Sequence, residues 1–406
     1  MLASTGSNGS AAVAPLAAPL VAELEALCRG RWTVMEVCGG PTHAIVRSGL
    51  DRLLPAGLSL IHGPGCPVCV TPVAVLDQAL ALARRPEVIL CSYGDMLRVP
   101  GSAAAFAGRA AAATAAATAG AAAAAGGGTS ADPLGLGPDL LAARACGADV
   151  RLLTSPLQAL QLARRHPGRQ VVFLAVGFET TAPATALLAR QALELGLTNL
   201  SLLTAHVRVV PAMEAILAAP DNRIQGFLAA GHVCSITGTE ELAALVRRWR
   251  VPVVVTGFTP TELLLGLREL VGQLEAGGAD LANAYPAVVR SQGNPAARRL
   301  LAEVFEPVTL TWRGLGPIEA GGLALRGAYA QLEASRRFQL PIAIGHVGPA
   351  EPETADGSCI AAAVLQGRLR PPDCPSFGRR CSPEHPLGAP MVSSEGACAA
   401  YWQYRR

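Results

Sequence analysis

Short apolar runs alternate with turns and helical segments along most of this chain. From Trp32 onward, each run of β-branched or apolar residues is followed by a turn rich in Gly, Pro or small polar residues, and then by a stretch with helical periodicity. Continuously apolar strands are typical of parallel sheets that are buried on both faces. The pattern predicts an α/β fold with mainly parallel sheets flanked by helices. The predicted strands span residues 32–37, 58–61, 88–91, 171–176, 200–203, 224–228 and 253–255.

Length and local composition predict how the chain is divided. Its 406 residues exceed the roughly 250–300 at which single cores stop growing, so several domains are expected. We expect two similar α/β domains at residues 31–150 and 151–285, and a C-terminal domain rich in loops and helices at 286–406. Residues 1–30 begin with Ser, Gly, Ala and Pro, and are predicted to be a flexible tail. The Ala-, Gly- and Thr-rich tract at 103–137 predicts a low-complexity inserted loop.

Composition argues against several functional classes. The apolar runs are much shorter than the roughly 20 residues that a membrane helix needs, and the N-terminal stretch lacks the basic start of a secretory signal. A net charge of +3 with scattered arginines indicates no nucleic-acid partner. Lysine is absent from the sequence, which excludes a Walker A phosphate loop and a pyridoxal Schiff base. We therefore expect a soluble, cytoplasmic protein that binds neither membranes nor nucleic acid.

A cysteine follows the first predicted strand, in the sequence MEVCGGPTH. Cys38 precedes two glycines, which let the backbone approach a ligand, and a predicted helix whose first amide groups would favour the thiolate. His43 either orients or protonates a bound group or is a structural hydrogen-bonding residue. Eleven cysteines in a reducing compartment suit metal binding or thiol chemistry better than a disulfide framework. We therefore expect a chemically available sulfur at this turn.

Cys66 and Cys69 form a CxxC motif in the sequence HGPGCPVCVTP. The motif follows a predicted strand and precedes a helix that we expect to be capped by Thr71 and to begin at Pro72. This spacing allows a disulfide or half of a zinc site, and the sequence contains no second CxxC to complete four zinc ligands. We interpret the pair as redox-active.

The last four cysteines lie in a segment with many prolines and little periodicity. They are separated by 15, 7 and 17 residues, a spacing too wide for a ferredoxin motif. Four soft ligands favour an iron-sulfur cluster or zinc over a hard cation, and a metal would stabilise a segment of this kind. These candidate ligands are Cys359, Cys374, Cys381 and Cys398. Three further cysteines have apolar neighbours and are predicted to be buried: Cys28, Cys91 and Cys146.

Polar residues just beyond predicted strands are further candidates, because sheets of this type bind ligands at the carboxyl ends of their strands. Each of them alone is more often structural than catalytic. We assign possible cofactor contacts to Asp95, Glu179, Thr180 and His232, and note Thr181 and His206 at similar positions.

Taken together, the motifs resemble the HypD family of maturation proteins for nickel-iron hydrogenases. The resemblance covers residues 31–404, apart from the alanine-rich tract. The motifs are MEVCGGPTHAI, HGPGCPVCVTP, YGDMLRVPGS, VGFETTAPATA, GHVCSITG and the tail PDCPSFGRRCSPEHPLGAPMVSSEGACAAYW.

The resemblance implies a scaffold for assembling the Fe(CN)2CO centre before its delivery to the hydrogenase large subunit. It implies the chaperone HypC as a partner, and cyanide from HypE, which HypF supplies. Cys38 would then be the iron-binding thiolate and Cys66 with Cys69 the redox pair. The four C-terminal cysteines would hold a 4Fe-4S cluster that supplies electrons to this pair.

Three positions depart from the family pattern. Pro41 stands where a polar residue is expected, Cys234 replaces a serine, and Pro390 occupies a position often held by another cysteine. Two other functions remain open on the residues alone. One is a cluster-dependent thiol-disulfide oxidoreductase that acts through Cys66 and Cys69, and the other is a binding protein whose tail is stapled by zinc.

Overall fold

The computed structural model describes residues 17–102, 139–341 and 357–405. Within these residues the strands are β1 (Trp32–Glu36), β2 (Leu58–His62), β3 (Val88–Ser92), β4 (Val150–Leu152), β5 (Gln170–Gly177), β6 (Leu200–Val207), β7 (Gly226–Ala230), β8 (Val253–Thr256), β9 (Leu281–Asn283), β10 (Phe305–Trp312) and β11 (Gly316–Leu325).

The helices alternate with these strands. They are α1 (Ala17–Leu27), α2 (Gly39–Ser48), α3 (Pro67–Val70), α4 (Val73–Ala83), α5 (Leu140–Ala145), α6 (Gln158–Arg165), α7 (Ala182–Glu194), α8 (Val209–Leu217), α9 (Gly231–Thr237), α10 (Glu240–Trp249), α11 (Pro260–Glu275), α12 (Pro295–Val304), α13 (Ala334–Arg337), α14 (Ala361–Leu365) and α15 (Ala397–Tyr404). Short 3₁₀ turns occur at Leu50–Arg52, Asp95–Arg98, Gly327–Leu332, Pro371–Asp373 and Ala389–Met391.

The predicted α/β architecture is confirmed, and each of the seven predicted strands is present. One sheet has the strand order β2-β1-β7-β8-β9 and is parallel throughout. The other has the order β10-β11-β6-β5-β3-β4, with parallel pairing from β4 to β6 and antiparallel pairing of β11 with β6 and β10. We call these the parallel sheet and the mixed sheet.

The sheets do not follow the predicted contiguous domains. β3 comes from the predicted first domain but belongs to the mixed sheet, and β4 crosses the predicted boundary at residue 150. β7, β8 and β9 come from the predicted second domain but belong to the parallel sheet. Each sheet is therefore built from separated stretches of chain. A boundary near residue 150 was the simplest interpretation of the strand-helix rhythm, because that rhythm carries no information about which strands pair.

Two further predictions about the ends of the chain need correction. Residues 17–27 of the predicted flexible tail form α1, whose Leu20 and Leu24 are buried with the apolar face of α11. Residues 305–325 of the predicted loop-rich domain form an antiparallel hairpin that extends the mixed sheet. The predicted insertion at 103–137 lies outside the described residues.

The core is layered. One buried cluster fills the space between the two sheets and includes Phe227 and Val255 from the parallel sheet, and Leu90 and Val172 from the mixed sheet. A second cluster lies under α6 and α7 on the far face of the mixed sheet, and a third lies under α1 and α11 on the far face of the parallel sheet. The two sheets thus share one interior, and the loops at their strand ends meet. No helix in the described ranges has the length and apolar character needed to cross a membrane.

Helix α11 offers a test of the local sequence signals. Thr259 caps it: its hydroxyl accepts from the backbone of Glu262, and the Glu262 side chain accepts from the backbone of Thr259. We predict that Thr259→Ala lowers the free energy of unfolding by about 1 kcal/mol, since one helix amide loses its partner. Denaturant titration would measure this. Thr239→Ala is the matched control, because Thr239 also precedes a helix but its side chain makes no cap bond. Equal losses in both variants would contradict the prediction.

Candidate functional site

Cys38 lies at the carboxyl end of β1, where the strand turns into α2. It is the extended residue that precedes the helix, and it is 5% exposed. Its backbone N–H donates to the carboxylate of Glu36 at 2.9 Å, and the next amide, of Gly39, donates to the carbonyl of Gly65 at 2.8 Å. The turn is therefore held both by its own strand and by the loop that follows β2.

The thiol of Cys38 faces the loops that follow the neighbouring strands. Its Sγ lies 3.7 Å from Nδ1 and 3.6 Å from Nε2 of His232, which is on α9 directly after β7. The His232 ring packs against Phe258, which follows β8, with ring centroids 4.9 Å apart. Three adjacent parallel strands thus deliver these residues to one edge of the sheet, where ligands bind in this architecture. Of the predicted site residues, the structure brings Cys38 and His232 into direct contact.

Burial, more than the helix amides, governs ionisation at this edge. It raises the pKa of the Cys38 thiol well above its usual value, and the nearby Glu36 carboxylate raises it further, whereas a backbone hydrogen bond at Gly40 lowers it. The amide of Gly40 at the start of α2 thus favours the thiolate, as expected, but burial and Glu36 outweigh it. Burial also lowers the pKa of His232 to about 4. A thiol and a neutral imidazole thus face each other at neutral pH, and a bound cation would favour the thiolate.

Cys66 and Cys69 form a disulfide around the short helix α3, with Cα atoms 5.3 Å apart. Cys66 precedes this helix, and its sulfur accepts from the backbone N–H of Cys69 at 3.2 Å. The next helix, α4, begins at Val73 rather than at the predicted Pro72. The CxxC pair thus has its own helical turn, and both cysteines are buried.

The CxxC loop packs directly on the Cys38 turn. A Cβ atom at Gly65 would stand 2.4 Å from the backbone of Cys38, so only glycine fits at this contact. Cys66 follows Gly65 immediately. The structure therefore brings the thiol of Cys38 and the disulfide into neighbouring loops.

The four C-terminal cysteines line a single pocket. Cys359, Cys374, Cys381 and Cys398 share it with apolar residues that include Val364, Phe377 and Met391, and its atom-free space, part of which is open to solvent, is about 300 Å³. Four sulfur donors with apolar walls have the ligand chemistry of a soft metal or an iron-sulfur cluster. Across the described ranges, however, no group of three or more His, Cys, Asp or Glu side chains is close enough to hold a metal ion. The four sulfur donors thus suit a soft metal or an iron-sulfur cluster in their chemistry, but their sulfur atoms are too far from one another to bind one as placed.

A short turn separates this pocket from the disulfide. The sulfur of Cys69 lies 3.9 Å from the carbonyl oxygen of Ala389, and the next two residues, Pro390 and Met391, line the pocket. Pro390 thus belongs to the wall between the two sulfur sites. The turn Ala389–Met391 contacts both.

Two other predicted residues contact the segment that carries Cys398. The carboxylate of Asp95 accepts from the hydroxyl of Ser393 at 2.8 Å, and a Cβ atom at Gly39 would stand 2.5 Å from the Cβ of Glu395. Residues 393–395 therefore link Asp95 to the Cys38 turn. His43 lies on α2 and its Nε2 is 2.9 Å from the hydroxyl of Tyr404. Its contact is with the C-terminal helix, which favours the structural interpretation of this histidine.

Glu179 and Thr180 occupy a different place. Glu179 is buried and accepts from the backbone N–H of Val209 at the start of α8, and burial raises its pKa to about 7. Its second oxygen is buried and has no hydrogen-bond partner among the residues that the structure describes. Thr180 is half-buried on the same turn. The contacts found in the described parts of the chain join neither residue to Cys38.

Cys234 and His206, which the sequence also singled out, have structural surroundings. Cys234 lines a small apolar pocket with Val209 and Met213, and burial together with the nearby Glu179 raises its pKa to about 12. His206 is fully buried between the carbonyl of Gly177 and the hydroxyl of Thr185. Three cysteines were predicted to be buried. Cys91 is buried and Cys28 is half-buried, whereas Cys146 is exposed, so the prediction is wrong for Cys146.

Sequence reasoning missed the polar residues behind the cysteines. Glu36 is completely buried and accepts hydrogen bonds from Cys38, Thr42 and His62, and His62 in turn meets Tyr401 of α15. The signal was present in the sequence. A glutamate at the end of the apolar strand WTVME is costly to bury unless it has partners. Their identity depends on which loops meet at the sheet edge.

The fold and the site define a cysteine-rich α/β protein. A buried thiol, a disulfide and a four-cysteine pocket follow one another along the edge of a parallel sheet.

Comparison with known proteins identifies the family. The family model HypD, described as "Hydrogenase formation hypA family", matches residues 15–122 and 133–405. The hydrogenase maturation factor HypD of Azotobacter vinelandii is 44% identical over 397 residues, which are 96% of this chain and 93% of that protein. The HypD proteins of Rhodobacter capsulatus and Escherichia coli K12 are 43% and 40% identical, over 91% and 92% of this chain and 89% of each relative. The chain belongs to the HypD family of hydrogenase maturation factors.

Glu179 gives a pH-dependent prediction. Its pKa rises from 4.5 to about 7 on folding, so the folded state binds more protons than the unfolded state between these values and stability falls as the pH rises through this window. We predict that Glu179→Gln removes this slope and gains up to about 3 kcal/mol relative to the parent between pH 4.5 and pH 7.5. Urea titrations at several pH values would measure the difference. Glu306→Gln, at an exposed position, is the control, and a parallel pH course for Glu179→Gln and the parent would contradict the prediction.

Proposed function

We propose that this protein is the scaffold on which the Fe(CN)2CO centre of a nickel-iron hydrogenase is assembled. The observation that carries the proposal is the packing of the Cys38 turn on the Cys66–Cys69 loop, beside His232 and at the ligand-binding edge of the sheet. The names of its relatives, as hydrogenase maturation factors, support the same conclusion. In this proposal the iron centre is cargo, which is bound and then passed on.

Cys38 is the proposed iron ligand. Iron that carries cyanide and carbon monoxide is a soft, low-spin centre, and a thiolate suits it. A buried thiol with a raised pKa stays protonated until a cation arrives, so binding releases the thiol proton to a neighbouring base or to water. The neutral imidazole of His232, in contact with this sulfur, is able to accept a hydrogen bond from it or to contact the bound group. These features keep the sulfur unreactive until the cargo is present.

The Cys66–Cys69 disulfide and the four-cysteine pocket form the proposed redox part. Reduction of the disulfide requires two electrons and two protons. A 4Fe-4S cluster held by Cys359, Cys374, Cys381 and Cys398 would supply electrons one at a time. The position of the Ala389–Met391 turn, which contacts Cys69 and lines the pocket, supports this arrangement because only one short segment lies between donor and acceptor.

The proposed partners follow from the family. HypC would share the iron, HypE would deliver cyanide after HypF has supplied it, and the hydrogenase large subunit would receive the finished centre. In this proposal, HypC and HypE both need access to the edge of the parallel sheet that carries Cys38. We infer a cytoplasmic location, since thiols such as that of Cys38 remain reduced there.

The iron role of Cys38 is tested by Cys38→Ala. We predict that the parent protein, purified anaerobically with HypC, shows infrared bands of iron-bound cyanide and carbon monoxide, and that Cys38→Ala loses these bands and at least about 90% of the bound HypC, since the sulfur ligand is gone. Cys146→Ser is the matched control because it removes an exposed cysteine far from the predicted site. Retention of the bands and of HypC in Cys38→Ala would overturn the assignment.

A second function, thiol-disulfide exchange with another protein, is favoured by the Cys66–Cys69 disulfide itself. It needs no iron at Cys38. A parent protein that reduces a protein disulfide through Cys66 and Cys69, and shows neither cyanide nor carbon monoxide bands, would support this second function over the scaffold.

The tail cysteines have their own test. We predict that Cys381→Ser removes most of the iron and acid-labile sulfide and the brown absorbance of anaerobically purified protein, because a cluster loses one of its four thiolates. Cys28→Ser, outside the pocket, should keep all three. Elemental analysis that finds zinc without iron or sulfide in the parent would instead favour a zinc-stapled tail.

A further inference from the structure

Glu36 is a charged residue in a place where charge is costly. It ends β1, the strand between β2 and β7 in the parallel sheet, and it is 0% exposed. A buried carboxylate is tolerated when its oxygens are hydrogen-bonded. Both oxygens of Glu36 have partners: Oε2 accepts from the N–H of Cys38 at 2.9 Å, and Oε1 contacts the hydroxyl of Thr42 and lies 2.7 Å from Nδ1 of His62. Both carboxylate oxygens of Glu36 are therefore hydrogen-bonded.

The partners of Glu36 belong to the turn that carries Cys38 and to the strand that leads into the CxxC loop. The Cys38 amide and the Thr42 hydroxyl fix the turn that carries the thiol and the first turn of α2. His62 is the last residue of β2 and leads through three residues to Cys66. The backbone carbonyl of Glu36 also accepts from the N–H of Gly63, at 2.8 Å. One residue thus joins the turn of Cys38 to the start of the CxxC loop.

His62 extends this contact to the C-terminal segment. Because a carboxylate only accepts hydrogen bonds, Nδ1 of His62 donates to Glu36, and its Nε2 lies 3.4 Å from the hydroxyl of Tyr401. The two rings meet edge to face, with centroids 5.7 Å apart. Tyr401 is on α15, three residues after Cys398. A connected path therefore runs from the Cys38 amide through Glu36 and His62 to the helix that carries a pocket cysteine.

We propose that Glu36 is the positioning residue of this site, which holds Cys38 in place against the CxxC loop and, through His62 and Tyr401, against the helix of Cys398. It acts through hydrogen-bond geometry and does not itself contact cargo. The proposal depends on neither iron nor a partner, so it stands or fails separately from the scaffold function.

The chemistry of the partners predicts which substitutions preserve this role. A glutamine at position 36 keeps one oxygen for the Cys38 amide, and its amide group donates to the Thr42 hydroxyl and to a His62 that carries its proton on Nε2. An alanine leaves the buried Cys38 amide and Nδ1 of His62 without their partner, whereas the Thr42 hydroxyl keeps the carbonyl of Cys38 at 3.1 Å. Glu36→Gln should therefore preserve the geometry that Glu36→Ala destroys.

The test measures the reactivity of Cys38 in the full-length protein. The protein is produced without other maturation proteins, exposed briefly to iodoacetamide under anaerobic conditions and digested, and the alkylation of each cysteine is followed by mass spectrometry. We expect Glu36→Ala to increase the alkylation rate of Cys38 about tenfold, equivalent to about 1.4 kcal/mol in local opening, and Glu36→Gln to stay within about twofold of the parent. Cys91, buried in the mixed sheet, reports global destabilisation in the same sample and should not change.

Two tyrosines of α15 provide a matched pair. Tyr401→Phe removes the hydroxyl that meets His62, whereas Tyr404→Phe removes a comparable hydroxyl that meets His43 on α2. We expect Tyr401→Phe to increase Cys38 alkylation about threefold and Tyr404→Phe to leave it unchanged, since only the first hydroxyl is connected to Glu36.

Three results would overturn the proposal. One is an equal increase for Cys38 and Cys91 in Glu36→Ala, which would mean general unfolding. Another is a Glu36→Gln variant as reactive as Glu36→Ala, which would mean that charge rather than geometry matters. The last is an equal effect of the two tyrosine substitutions, which would exclude the path through His62.

Discussion

The arrangement of the whole site depends on the buried carboxylate of Glu36. Removing a carboxylate from water costs several kcal/mol unless hydrogen bonds replace the lost hydration. The loops after β1 and β2 supply these bonds, and in doing so their backbones come close enough for Gly65 to touch Cys38. The hydrogen bonds that offset the burial of Glu36 thus also fix the position of the Cys38 turn relative to the loop of the Cys66–Cys69 disulfide. The apolar core determines the sheet, and this polar contact determines the relative position of its loops.

The interleaved order of the strands explains how distant motifs reach one edge. β7 pairs with β1 although more than one hundred residues separate them, because the chain first builds most of the mixed sheet and then returns. The return places His232 beside Cys38 and Phe258 beside His232. It also gives the two sheets a common apolar interior, so that neither sheet forms a separate hydrophobic core. The site therefore lies where the two halves of the protein are held together.

Local pattern was sufficient for part of this structure. The apolar runs predicted each strand from β1 to β3 and from β5 to β8. Almost all side chains of β3 and of β5 to β8 are buried, as expected for apolar strands covered on both faces, whereas β1 and β2 also contain half-buried residues. Pairing was not predictable in the same way, because β3 and β7 are similar apolar runs that join different sheets. The hairpin of β10 and β11 was missed since its strands contain exposed residues and glycines and resemble loop sequence. Motifs in the sequence located Cys38 and the CxxC pair. The contacts among Glu36, His62 and Tyr401 could not be predicted, because they depend on which loops the fold brings together.

The C-terminal segment is held by polar contacts as well as by apolar packing. Leu365, Ala389 and Val392 belong to the main core, and Ala400 and Tyr401 pack with Val46 of α2. The polar contacts are Ser393 with Asp95, Tyr401 with His62, Tyr404 with His43 and Arg405 with Asp51. Individual hydrogen bonds of this kind contribute on the order of 1 kcal/mol each, so that the segment owes its order to several weak contacts acting together. A cluster bound by its four cysteines would add a much stronger constraint from inside the segment. Tyr401 contacts His62, which contacts Glu36, and Ala389 contacts Cys69 of the CxxC loop. A change in the position of the C-terminal segment would therefore be transmitted to Cys38 and to the disulfide through these contacts.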